Sequence, residues 1–184
     1  MVSFNRRFNP AIVKAQKWIA EDPARQPAIV LARMIRPQRR EPDFVASTGI
    51  HAIDAVCAIM GRPTAVHAGR VAGETAPGRP YVATVDFAAG GTAALVIAPD
   101  AGLAAETYEL MGGAYSIFMD VTNYQSAHAA HMDIWEAGQR TTAWDAPSSA
   151  PYLLDGTQGE MDVFIAGILG ERPLAPTLAD GLIA

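Results

Sequence analysis

The most informative stretch of the chain is S-T-G-I-H-A-I-D, residues 47–54, which sets an imidazole and a carboxylate three residues apart. On a helix that spacing brings His51 and Asp54 to one face. An imidazole near its ordinary pKa can give or take a proton close to neutrality, and a carboxylate one turn away can orient it. Taken alone, the pair suits a structural histidine with a helix-surface hydrogen bond equally well.

A second grouping, His128, His131 and Asp133, has ligand types suited to zinc or iron. Its spacing argues against a metal site. On a strand His131 and Asp133 share a face and His128 points away, whereas a helix pairs the histidines and loses Asp133. Ser47, Ser116, Ser126 and Ser148 lack the G-x-S-x-G setting of an activated serine. Tyr124 and Trp135 can floor a sugar-sized pocket through their apolar faces or serve the core. The arginine clusters at residues 6–7 and 36–40 are compatible with an anionic small molecule, and also with plain solvated surface.

The elements that position these residues can be read from periodicity. Asn9 and Pro10 form the cap and first position of a helix through about Ala20, with Ile12, Ala15 and Ile19 on one face. Residues 28–36 read as a strand, and an Arg- and Pro-rich loop then leads to the His51 helix. There, Ser47 or Thr48 is the expected cap and Gly61 the stop. Ile50, Ile53, Cys57 and Met60 are expected to form its buried stripe, with His51 and Asp54 on the flank. Strands follow at 64–72, 79–88, 92–98, 103–111, 114–121, 131–136 and 140–144, with glycine-bearing turns at Gly90-Gly91 and Gly112-Gly113. Strand 92–98 is apolar on both faces, which calls for a second subunit or domain over its outer side. Residues 156–170 return to helical spacing through Met161, Phe164, Ile165 and Ile168, and Thr177 opens a last helix.

At 184 residues, half of them hydrophobic, the chain suits one α+β domain: a large, open, mostly antiparallel sheet with helices on one face. A net charge of −5 gives no electrostatic reason to expect nucleic acid. The single cysteine, Cys57, cannot form an internal disulfide and reads as core. No apolar run approaches the ~20 residues needed to span a bilayer, so a soluble, cytoplasmic protein is expected.

The 47–54 helix resembles the D-x-G-x-H-x-x-D helix of the Gfo/Idh/MocA family of glucose-fructose oxidoreductases and inositol dehydrogenases. Three further stretches resemble that family in the same order. V-S-F-N-R-R-F-N-P (2–10) is similar to the strand and turn leaving its nucleotide domain. V-D-F-A-A-G-G-T-A-A-L (85–95) with E-L-M-G-G-A-Y-S-I (109–117) resembles its substrate-domain sheet, and G-E-M-D-V-F-I-A-G-I-L-G-E-R-P (159–173) with L-A-D-G (178–181) its late helices. The resemblance implies one substrate-binding and oligomerisation domain over residues 1–184, with the Rossmann domain missing and the last helix cut short. Neither a G-x-G-x-x-G turn nor an E-K-P lysine occurs in the sequence.

By that resemblance the complete protein uses NAD or NADP to oxidise or reduce a sugar, polyol or related hydroxy compound, and this chain alone binds no cofactor. His51 matches the proton-transfer histidine, Asp54 orients it, and Ser47 stands where the family's D-x-x-x-H pattern has an acid. Arg36, at the head of the loop that borders the substrate in the family, and Tyr124 are the implied substrate contacts. Arg6, Arg7 and Asn5 are expected to meet the cofactor domain through a salt link or to reach the substrate. The partners implied are a small-molecule substrate, the Rossmann domain and a second copy through the sheet face. The alternative is a non-catalytic dimerisation or ligand-sensing module derived from the same domain.

Overall fold

The computed structural model describes residues 1–70, 78–121, 130–147 and 150–184. Its frame is an eight-stranded sheet in which one interior strand is set by the first third of the chain and the rest by the last two thirds. A short 3-10 turn, Asn5–Phe8, leads into α1 (Pro10–Ala20). There Asn9 Oδ1 accepts the Ala11 and Ile12 amides at 2.9 and 3.4 Å, and Pro10 occupies a position that needs no N–H. β1 (Ile29–Ile35) follows, then α2 (Ile50–Met60) and seven strands: β2 (Pro63–Arg70), β3 (Tyr81–Phe87), β4 (Thr92–Ala98), β5 (Ala105–Gly112), β6 (Tyr115–Asp120), β7 (His131–Glu136) and β8 (Gln139–Asp145). Helices α3 (Pro151–Leu154), α4 (Thr157–Ile168) and α5 (Leu178–Ile183) close the chain.

The strand order is β2-β3-β4-β1-β5-β6-β7-β8. Neighbours are antiparallel except β1 and β4, which run parallel because α2 and the β2-β3 hairpin intervene between them. The expected α+β class and open, mostly antiparallel sheet are therefore found. Along β1, Val30, Ala32 and Met34 are buried while Ile29 and Leu31 are exposed, so one face carries the helices and the other is open. The core joins Ala11, Ile12 and Ala15 of α1 and Ala55, Val56 and Met60 of α2 to the inward residues of the sheet.

Several local expectations change in the folded chain. α2 is preceded by a wider π-turn, Val45–Gly49, and neither Ser47 nor Thr48 caps it. The chain enters the helix already wound, so backbone carbonyls serve amides that a side-chain cap would otherwise take, as Asp43 does for Ser47 at 2.9 Å. The stripe of Ile50, Ile53, Cys57 and Met60 is not the buried one: of these only Met60 is fully buried, beside Ala52, Asp54, Ala55 and Val56. α2 is covered on two sides, by the sheet and by the Asn5–Phe8 turn, which shifts the buried face toward Asp54. In α4 the apolar residues that mark the helical period are exposed, Ile165 by 54% and Ile168 by 65%, while Glu160 and Val163 are buried. That helix packs on the Asn5–Phe8 turn through its other face, where Gly159 lies against Phe8.

Gly90 and Gly91 adopt the expected positive φ, at 89° and 85°. In the β5-β6 hairpin the positive φ, 65°, belongs to Ala114 instead. Gly112 is required there for another reason: a Cβ would stand 2.2 Å from the Tyr115 ring.

Candidate functional site

Three segments far apart in sequence meet around His51: the Asn5–Phe8 turn, the start of β5 and the start of α4. At the centre is Glu106, a carboxylate in a strand whose inward parity is otherwise apolar, shared with Tyr108 and Leu110. It is fully buried. Arg6 Nε lies 2.8 Å from its Oε1 and Arg6 Nη2 3.1 Å from its Oε2. Arg36 Nη2 donates to Oε2, and the Tyr108 hydroxyl donates to Oε1 at 2.9 Å. Burial alone pushes the Glu106 carboxyl up, but the two guanidiniums outweigh it and hold it at about 2.

His51 lines a polar cleft of about 470 Å³ together with Asn5, Arg6, Arg36, Thr48 and Glu160. That volume lies in the range of small-molecule sites. His51 also borders an outer groove of about 710 Å³, whose walls include Ser47, Phe4 and Leu182. The imidazole meets the Phe4 ring edge-on, with centroids 6.3 Å apart. Burial lowers its pKa and Arg6 and Arg36 add to the effect against Glu106, so the ring is neutral at pH 7 and able to accept a proton.

Among the described residues, the buried side-chain polar atoms left without a hydrogen-bond partner are Asn5 Oδ1, His51 Nδ1 and Glu160 Oε1. All three residues line the 470 Å³ cleft.

Asp54 does not orient His51. Its buried carboxylate is gripped by Arg7, with Nη2 2.7 Å from Oδ1 and Nε 2.9 Å from Oδ2, and makes no hydrogen bond to the imidazole. Arg7 also reaches Asp180 at 3.4 Å, so the pair ties the first turn to α2 and α5. The salt links expected to leave the chain through Arg6 and Arg7 are thus made inside it. Ser47 is exposed and lines the outer groove, whereas Arg36 lines the 470 Å³ cleft. Arg36 is only 3% exposed; besides Glu106 it donates to the Ile35 and Ala105 carbonyls at 3.0 and 3.2 Å. Tyr124 and His128 lie outside the described residues.

Trp135 stands on the open sheet face, opposite the helices, and is 39% exposed. His131 sits between two carboxylates, with Nδ1 2.7 Å from Asp145 and Nε2 3.1 Å from Asp133. No cluster suited to a metal ion is found among the described residues, and none of their helices is long and apolar enough to cross a membrane.

Sequence reasoning missed Glu106 and Glu160. The signal for Glu106 was present: a carboxylate at the apolar parity of A-E-T-Y-E-L-M requires a buried cation. Glu160 carried no such sign, since it lies off the apolar stripe of its helix and reads as solvent-facing.

No protein-family model and no curated protein matches the sequence. Solved structures match throughout its length. UDP-N-acetylglucosamine 3-dehydrogenase GnnA from Acidithiobacillus ferrooxidans superposes with a TM-score of 0.74 at 17% identity, over 98% of this chain and 56% of that one. Aldose-aldose oxidoreductase from Caulobacter crescentus gives 0.77 at 18%, over 99% and 57%. A myo-inositol dehydrogenase described as putative, from Sinorhizobium meliloti 1021, gives 0.73 at 19%, over 100% and 59%. The chain has the fold of Gfo/Idh/MocA-type dehydrogenases and spans a little over half the length of those enzymes.

Proposed function

We propose that this chain is the substrate-binding part of an NAD(P)-dependent oxidoreductase acting on a sugar, polyol or related hydroxy compound, with His51 as its proton-transfer residue. The observation that carries the reading is the His51 imidazole, its pKa lowered by burial, in the wall of a polar, ligand-sized cleft, on a fold shared with oxidoreductases of sugars and inositol. A hydroxyl that loses hydride to become a carbonyl must also lose its proton, and a neutral histidine in contact with it can take that proton. Arg6 and Arg36, fixed by Glu106, form a rigid wall beside the ring, so the cleft is preorganised.

The head of α4 does not fit a dinucleotide phosphate. Gly156, with φ of 90° at the head of α4, is placed as a phosphate-binding glycine would be, yet a Cβ there would stand 2.0 Å from Asn5 O. The chain's own backbone takes the space, and the nicotinamide belongs in this reading to the Rossmann domain that the resemblance implies. The open sheet face exposes Ile29, Leu31, Val82, Phe118 and Trp135, and is assigned to self-association.

The test is His51→Ala in the complete protein. Turnover falls by about 10²–10⁴-fold if His51 moves the proton; unchanged turnover removes it from the mechanism. The second reading, a non-catalytic ligand-sensing or dimerisation module, is favoured by Ser47, an exposed, uncharged side chain where the resembled family has an acid.

A further inference from the structure

We propose that Arg36 is a positioning residue that acts through His51: held on Glu106 beside Arg6, its guanidinium makes this side of the cleft cationic, opposes protonation of the imidazole and so sets the site to take a proton from a hydroxyl. This rests on the reading of His51 as the proton-transfer residue.

Neutralising Glu106 does not need Arg36. Arg6 alone spans the carboxylate, with Nε 2.8 Å from Oε1 and Nη2 3.1 Å from Oε2, and the Tyr108 hydroxyl adds a third donor at 2.9 Å. One arginine already balances the charge, and both oxygens already have donors. Arg36 brings a second full charge to a place where it is only 3% exposed, and a guanidinium buried beyond the number of its counter-ions is costly. Its bonds to the Ile35 and Ala105 carbonyls at 3.0 and 3.2 Å fix it in position, but a neutral donor would serve those carbonyls as well. What the second guanidinium adds is charge. Arg6, Glu106 and Arg36 together are cationic, and both arginines line the cleft that His51 lines.

The other charged groups around the ring do not supply a counter-ion to it. On α2 itself Asp54 is gripped by Arg7, which also reaches Asp180 of α5. Glu41, in the loop after β1, is paired with Arg39. Asp155, ahead of α4, accepts the Thr157 amide, and Glu160, in its first turn, accepts the Ser3 hydroxyl, each at 2.9 Å. Among the described residues no carboxylate hydrogen-bonds to His51, whose Nδ1 is buried without a partner. A histidine that holds a proton is favoured by a carboxylate beside it; this one has guanidiniums instead. After burial, the charges that act on the ring are Arg6, Glu106 and Arg36, and the two arginines outweigh the glutamate in lowering its pKa.

The consequence is a direction. In oxidation the hydroxyl O–H bond breaks and its proton passes to the imidazole, while hydride leaves the same carbon for an oxidised nicotinamide. The reverse reaction needs imidazolium as the donor, the form that the arginines disfavour.

The experiment measures the His51 pKa of the 184-residue chain by NMR in the wild type, Arg36→Gln and Arg36→Lys. Arg36→Gln leaves Arg6 and Glu106 paired, and the His51 pKa is expected to rise by at least about half a unit. Arg36→Lys keeps the charge but loses the planar fork, and is expected to stay within about 0.3 units of the wild type. In the complete protein, the acid limb of kcat/KM for oxidation is expected to move up with Arg36→Gln and to be restored by Arg36→Lys. A His51 pKa unmoved by Arg36→Gln, or raised equally by both variants as a purely structural role predicts, overturns this inference and leaves the substrate-site reading standing. A pKa that follows the charge while the acid limb stays in place removes His51 from proton transfer, and this inference falls with it. Where Arg36→Gln fails to fold, a rise of about half a unit in Arg36→Lys is enough to overturn the inference.

Discussion

Arg6 and Glu106, one hundred residues apart in the chain, meet in a two-pronged ion pair, with Nε 2.8 Å from Oε1 and Nη2 3.1 Å from Oε2. Arg36 binds the second oxygen, so a single buried carboxylate fixes two guanidiniums and joins the N-terminal turn, β1 and β5 at the floor of the His51 cleft.

Removing the Glu106 charge leaves both guanidiniums buried without a counter-ion. Glu106→Gln is therefore expected to lower unfolding stability by about 3–5 kcal/mol, measured by urea denaturation. A loss below about 1 kcal/mol would show that the triad does not hold these elements together.

The same carboxylate sets a dependence on acid. Its folded pKa of about 2 lies below the ordinary glutamate value of 4.5, so its contribution is complete above about pH 4.5 and is lost as pH falls toward 2. The difference corresponds to about 3 kcal/mol. His51, whose pKa is lowered chiefly by burial, acts in the same direction: its contribution is present above about pH 6.5 and declines as the pH drops through its folded value. Stability measured from pH 7 to 2 is expected to fall in both windows, and Glu106→Gln to abolish the lower one. A wild-type stability flat between pH 4.5 and 2.5 contradicts the assignment.

Asp54 and His51 are neighbours on α2 with separate duties. Asp54→Asn weakens the grip of Arg7 and is expected to cost about 1–3 kcal/mol, with the lower part of that range favoured because Arg7 is 22% exposed. The His51 pKa, followed by NMR titration, is expected to stay within about 0.3 units of the wild type, well below the ~1-unit effect of a lost direct partner. A larger shift would restore Asp54 as the orienting residue.

Cys57 lines an apolar pocket of about 190 Å³ between α2 and the β2-β3-β4 edge, and burial, with Asp54 nearby, pushes its thiol up to about 11. At pH 8 its thiolate is about 100-fold scarcer than that of a thiol at 9.0. Alkylation by iodoacetamide is expected to be slower than in the unfolded chain by at least that factor; comparable rates would place the thiol in solvent.

What the sequence by itself determined is local. Asn9-Pro10 opens α1, Gly90-Gly91 turns β3 into β4, and alternation along Tyr81, Ala83, Val85 and Phe87 gives one apolar sheet face. Each is decided by residues within a turn or two of one another, so periodicity and backbone preference suffice to find it. His51 was legible in the same way, from its place in a motif. What only the tertiary structure decided is who faces whom: Arg7 with Asp54, Arg6 and Arg36 with Glu106, and Glu160 turned inward beside Asn5. β1 is slotted between β4 and β5, and that crossover brings residues 6, 36 and 106 to one point. No spacing along the chain encodes it, because the partner of a buried charge is chosen by strand order and by the energetic cost of leaving that charge unpaired.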